Sequence, residues 1–450
     1  MRHFCKSLLF FLILFFFSFV FIKTSYAISN PLKTNNNYFG IHIADTSDLE
    51  NAAKLVNSSG GDWGYVTFVI RKDERDPKRW QEVFDNARRL HLIPIVRIAT
   101  RFENGNWEKP NFDELDGWVS FLNSFNWVIK NRYVVLGNEP NHAAEWGGKI
   151  DPLEYAKYLS IFSQKLKNES DDFYILPAGF DASAPNSKIS MEESLFLKKM
   201  YEFDSQVFTN IDGWTSHSYP NPAFSGFENA YGKGTVRTFE WELNYLKSLG
   251  INKELPVFIT ETGWIHELDR EGKNNTSISK VGQKLQFSLK NVWNDKRIVA
   301  VTPFILGYLD SPFDVFSWKD KNGNFYEFYN EVQSIPKIKG KPDQITKGKI
   351  ELAFVPPIVR LNKDFNGFIL AKNIGQSIWE PGTVIPSLYS GKDLILENIK
   401  SNSIEPGQVG ILTFNVKNNH SIGINIFSIS LFLEKKNVSN QIYLPQIILP

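Results

Sequence analysis

From about residue 38 the chain alternates short apolar runs with longer stretches of helical period, the rhythm of repeated βα units around a parallel sheet. Eight runs stand out: YFGIHIA (38–44), GYVTFVIR (64–71), LIPIVRIAT (92–100), YVVLGNE (133–139), YILPAGF (174–180), IDGWTSHSY (211–219), PVFITET (256–262) and IVAVTPFIL (298–306). The helical stretches between them have recognisable starts: Thr46-Ser47-Asp48 before LENAAKLV, Asp76-Pro77 before KRWQEVFDNARRL, and Asp151-Pro152 before LEYAKYLSIFSQKL. Eight units in roughly 300 residues predict a closed (β/α)8 (TIM) barrel over residues 35–333 rather than an open sheet.

After Val332 the pattern changes. SIPKIKGKPDQITKGK (334–349) is rich in Lys, Pro and Gly and reads as a linker. Residues 350–450 hold about seven short strand-like stretches separated by turn-formers, without helical period, and predict a small all-β sandwich of immunoglobulin-like type. At the other end, MRHFCKSLLFFLILFFFSFVFIKTSYA has a basic start, an apolar run from Leu8 to Ile22 and a small-x-small site at Ser25-Tyr26-Ala27. This is the form of a secretory signal cleaved after Ala27, with an uncleaved N-terminal anchor as the alternative.

The single cysteine, Cys5, lies inside that segment, so the chain beyond it has neither disulfides nor thiolate metal sites. Removing residues 1–27 lowers Lys+Arg from 50 to 47 against 49 acids, a net charge of −2. That balance offers no basic field for nucleic acid. The expectation is an exported, secreted or cell-surface protein, monomeric, touching a membrane only through an uncleaved anchor.

Acids at the C-terminal ends of barrel strands carry weight, because that face holds the chemistry of such barrels; acids on helices do not. Glu139 ends the fourth run within GNEPN and Glu261 ends the seventh within FITETGW. Strands four and seven oppose each other across the barrel mouth, so the two carboxylates point at a common place. Glycoside hydrolysis needs such a pair, one protonated to serve the leaving oxygen and one ionised to attack or stabilise the sugar cation.

A barrel with Asn-Glu-Pro ending strand four and Ile-Thr-Glu-x-Gly-Trp ending strand seven resembles the glycoside hydrolases of clan A, which include cellulase-, mannanase- and β-xylosidase-like families. The resemblance covers residues 38–333. It implies a retaining mechanism with Glu139 as acid/base and Glu261 as nucleophile, Asn138 on the sugar 2-hydroxyl, Tyr219 bonded to Glu261, and His217 near the bound sugar. Arg97 on strand three, or Arg71 on strand two, is placed to keep the nucleophile ionised, and the sequence leaves that choice open. Trp264 and Trp318 are the candidate sugar platforms, with Trp107 and Trp146 in loops on the same side. Strand eight departs from the pattern, because Trp318 lies far past Leu306.

Two other classes compete. His42, His142, His217 and His266 all fall near one face, as in metal-dependent barrel hydrolases, yet strand one lacks a His-x-His pair and no HExxH spacing occurs, so no metal or other cofactor is expected. A non-catalytic carbohydrate-binding surface protein is the second competitor. It has no need for two like charges in one cleft. The partner expected in either sugar reading is a polysaccharide or oligosaccharide.

Overall fold

The computed structural model describes residues 28–266, 276–389, 394–418 and 421–450; the expected signal segment lies outside them. Eight parallel strands follow in order: β1 (Gly40–His42), β2 (Gly64–Arg71), β3 (Leu92–Ala99), β4 (Arg132–Leu136), β5 (Phe173–Pro177), β6 (Trp214–His217), β7 (Val257–Glu261) and β8 (Ile298–Val301). β1 to β5 form one sheet and β6 to β8 another. Parallel bridges Asp181↔His217 and Phe39↔Val301 join the two sheets at both seams, which closes the ring. Each of the eight predicted runs contains one of these strands.

A helix follows each strand: α1 (Leu49–Val56), α2 (Pro77–Arg89), α3 (Leu115–Asn123), α4 (Pro152–Glu169), α5 (Glu193–Phe203), α6 (Thr238–Ser248), α7 (Ile278–Asn291) and α8 (Glu327–Gln333). Their starts follow the capping rules. The Asp76 carboxylate accepts from the N–H groups of Lys78 and Arg79 ahead of Pro77, and Asp151 accepts from Glu154 ahead of α4. Inside the barrel the lower layer is aromatic: Tyr133 packs 5.0 Å from both Tyr174 and Phe258, with Tyr65 at 6.3 Å. This floor leaves only the upper ends of the strands open.

The C-terminal part forms two mainly antiparallel sheets. Strands β9 (Gly348–Phe354), β11 (Phe365–Asn373), β14 (Val409–Val416) and β13 (Leu396–Lys400) make the first, in that order. The second runs β10 (Ile358–Arg360), β16 (Ile442–Leu449), β15 (Gly423–Leu433) and β12 (Val384–Tyr389). Ile369, Leu412 and Phe414 of the first meet Leu388, Phe427 and Ile429 of the second in one buried core, so the sheets form a sandwich.

The segment expected as a linker is bonded along its length. Lys337 is buried, and its ammonium donates to the carbonyls of Val332, Gln333 and Ile335 at 2.9–3.0 Å. Gly340 N–H bonds Asp62 O, Lys341 N–H bonds Asn35 O, and Gln344 reaches Val128 O. From the sandwich, Gln376 donates to Ile129 O and accepts from Ile345 N–H, both at 2.9 Å, and Arg89 pairs with Glu405. These barrel partners precede strands, so strap and sandwich dock on the N-terminal face.

Candidate active site

The opposite face gathers the predicted acids. Gly137 (φ +99°) and Glu139 (φ +30°) turn the chain sharply after β4, and Glu139 N–H is pinned by Gly179 O at 2.9 Å. Its carboxylate takes a 2.7 Å hydrogen bond from His217 Nδ1. Glu261, at the end of β7, is buried, and its two oxygens are held separately: Arg97 donates to Oε1 at 2.9 Å and Tyr219 O–H to Oε2 at 3.1 Å. His217 Nδ1 also lies 3.9 Å from Glu261 Oε2, so one imidazole faces both acids. Oxygens of Glu139 and Glu261 lie within 4.8 Å of each other.

Burial alone would push the Glu261 carboxyl up, but His217 and Arg97 outweigh it and hold the group below its ordinary value. Burial pushes His217 down, while Glu261 and the bond to Glu139 more than restore it, so its net shift is upward. Arg97 also bonds Asn138 Oδ1, which ties strand three to the residue before the acid. Of the two arginines, Arg97 is the one at the site. Arg71 is 42 % exposed and pairs with Asp73 and Glu74.

The two tryptophans expected as sugar platforms are placed otherwise. Trp264 is 2 % exposed, with its indole N–H on Gly226 O of the loop after β6, and Trp318 is 3 % exposed against Phe328; each is packed into the protein because a large apolar ring gains most by full burial. Trp146 is buried too. Trp107 is half-buried and lines a cleft beside Arg97 and Asn138, of about 660 Å3 including its open mouth. On the other side, Phe304, three residues past β8, stands edge-on 5.1 Å from His42 and 5.8 Å from Phe316. The aromatic side chain just past the end of β8 is therefore Phe304, with Trp318 packed away against Phe328.

A third acid was missed. Glu145 lines the same cleft with Arg97 and Asn138, and burial, followed by the charge of Glu139, raises its carboxyl to about 7. It lies in a short 3-10 turn, Ala143–Glu145, where no periodic signal marks it. Of the remaining histidines, His142 pairs with Asp181 at 2.8 Å, His266 bonds Ser317 O, and buried His42 is pushed down to about 4. Among the described residues, Glu139, His217 and Glu261 form a group of metal-type donors. Their facing atoms are already engaged with one another, Arg97 and Tyr219, which suits anions held by donors rather than a divalent cation.

No family model and no curated protein sequence matches the chain. Among solved structures it is similar to a GH128 (subgroup II) endo-β-1,3-glucanase from Pseudomonas viridiflava, at 16% identity over 67% of this chain and 99% of that one, with a TM-score of 0.42. It is also similar to an endo-β-1,4-glucanase from Xanthomonas axonopodis pv. citri, at 13% identity, 66% and 97% coverage and TM-score 0.43. A third is an endo-β-1,4-mannanase from Thermotoga petrophila, at 10% identity, 94% and 100% coverage and TM-score 0.37. All three are glycoside hydrolases. No helix among the described residues is long and apolar enough to cross a membrane.

Proposed function

We propose that this chain is an exported glycoside hydrolase that cleaves O-glycosidic bonds of a polysaccharide or oligosaccharide with retention of configuration. The observation that carries the reading is the carboxylate spacing. Oxygens within 4.8 Å of each other favour the ~5–5.5 Å separation of double displacement over the ~6.5–9.5 Å gap by which an inverting enzyme seats a water between its base carboxylate and the sugar. In the first step an oxygen of Glu261 attacks the anomeric carbon while Glu139 gives its proton to the leaving oxygen. In the second, water attacks the same carbon, its proton passes to Glu139, and Glu261 leaves as a carboxylate.

The surroundings support this division of roles. Arg97 and Tyr219 favour an ionised Glu261, which the nucleophile requires, and the more open Glu139 has solvent access for the returning water. His217 facing both acids offsets charge as it moves between them. The strand orders support an immunoglobulin-like reading of the sandwich, one sheet following A-B-E-D and the other adding a strand to G-F-C. Export rests on the N-terminal sequence alone.

The test is a screen of the chain without residues 1–27 against β-glycans and aryl glycosides, beside Glu261→Gln. Hydrolysis lost in the variant, with a 2-fluoro glycoside trapped covalently on Glu261 in the wild type, supports the proposal. Binding of a glycan with no cleavage by the wild type would replace it with a carbohydrate-binding barrel.

A further inference from the structure

Behind β6 lies a second pair of acids that the chemistry above does not use. Glu193, the first residue of α5, and Glu242 of α6 are both fully buried, and their carboxyls are within hydrogen-bonding reach of each other. Among the described residues no cation pairs with either, and none of their four oxygens receives a well-formed hydrogen bond. The Trp214 indole N–H, itself buried without another partner, and the Ser216 hydroxyl face Glu242. Two full negative charges at this distance and depth are not sustainable, so one proton must stay with the pair.

The pair backs onto the strand that carries His217. Ser216 Oγ lies 2.9 Å from Ser218 Oγ, Ser218 O accepts from the hydroxyl of Thr262 at 2.7 Å, and Thr262 follows Glu261. His217 stands between the two serines on β6. The charged groups that act on the pair from its neighbours are His217 of β6, Glu139 after β4 and Asp181 after β5. Burial, the largest effect, and mutual repulsion push Glu193 well up, and burial pushes Glu242 up.

We propose that Glu193 and Glu242 share one proton and hold a single negative charge behind β6 that adds to the pull of Glu261 and Glu139 on the His217 proton, making them positioning residues for the His217–Glu139 contact. The consequence for catalysis rests on the reading of Glu139 and Glu261 as the reacting pair; the charge state of His217 does not. Glu193 donates the shared proton to Glu242, and the residual charge of Glu242 favours a cation one residue from Ser216.

The test needs no substrate, so its failure is separable from failure of the hydrolase reading. In the wild-type protein labelled with 13Cδ-glutamate, a side-chain carboxyl resonance characteristic of the protonated form should persist at pH 6 and be missing in Glu193→Gln/Glu242→Gln. With 15N-labelled histidine, the His217 titration, assigned by its loss in His217→Asn, should move to lower pH in the double variant. Glu242→Gln alone serves if the double variant fails to fold. No protonated carboxyl at pH 6 in the wild type, or a His217 titration superimposable on wild type in whichever variant folds, would overturn the proposal.

Discussion

Gly179→Ala is a one-carbon change that should disable the site without touching either glutamate. A Cβ built on Gly179 falls 2.2 Å from His217 Cδ2, 2.4 Å from Nε2 and 2.9 Å from Cγ. Non-bonded carbons rest at ~3.5–4.0 Å, so the imidazole must retreat by about 1 Å or more, or the β5 end must move. The ring is 3 % exposed, and its Nδ1 to Glu139 bond is only 2.7 Å long. A retreat of that size breaks the bond and takes the cation from between the two carboxylates. A shift of the β5 end moves Gly179 O instead, and with it the pin on Glu139 N–H.

Overpacking of this kind costs about 1–3 kcal/mol of stability, and a misplacement near 1 Å costs about 10²-fold in rate. The assay pairs kcat/KM on an aryl glycoside that the wild type cleaves with thermal unfolding. The expected result is a rate loss near a hundredfold with the fold retained. Gly117→Ala is the control: it lies in α3 with Arg75 Nη1 no closer than 3.6 Å to the new carbon, so it should be neutral or stabilise by up to ~1 kcal/mol. Gly179→Ala with wild-type kcat/KM and unchanged melting would refute the placement of His217.

The other outcomes follow from the same contacts. Arg97→Met leaves the buried Glu261 carboxylate without its guanidinium partner; stability should fall by about 3 kcal/mol, and the acid limb of the pH–rate profile should move to higher pH, because Arg97 holds that carboxyl down. Glu145 has its folded value raised to about 7, above the unfolded value near 4.5, so it stabilises fully at acid pH and that contribution is lost as pH rises through about 7. Glu145→Gln should therefore remove a decline of about 2 kcal/mol between pH 4.5 and 7, read from urea unfolding at several pH values. Lys337→Met leaves Val332 O with the Ile335 N–H and Gln333 O with the Ser58 and Ser59 hydroxyls but strips Ile335 O of its donor, and should cost about 1–3 kcal/mol with KM unchanged. Gln376→Leu removes the side-chain bond from sandwich to barrel at Ile129 O and the one to the strap at Ile345 N–H, and should split a single calorimetric transition into two.

The barrel was legible because its strands are buried on both faces and so read as near-continuous apolar runs, and because Asp-Pro pairs mark helix starts independently of tertiary context. The strap was not. Its lysines, prolines and glycines are the composition of a solvated linker, yet Lys337 exchanges water for the carbonyls of Val332 and Gln333 at the end of α8 and of Ile335 just past it. Composition reports what a residue prefers when nothing else offers a partner; here the helix end offered one.

The same distinction runs through the site. Glu139, Glu261, Arg97, His217 and Tyr219 come together because each sits at or just past a strand end, and strand position is what an alternating pattern reports. Trp264 and Trp318 were judged by type and by side of the barrel, but whether a ring faces ligand or its own loop depends on packing across loops that share no period. Glu145 stands at no marked position, and Phe304, although inside the eighth run, was passed over in favour of a tryptophan. Glu193 and Glu242 were discounted with every other helical acid, a rule that holds while water is the alternative partner. On α5 and α6 the alternative is Trp214 and the back of β6, and there an acid keeps its proton instead of its solvent. A charged residue on a helix is thus informative only once the face it occupies is known, and that is set by helix-on-strand packing, not by the order of residues along the chain.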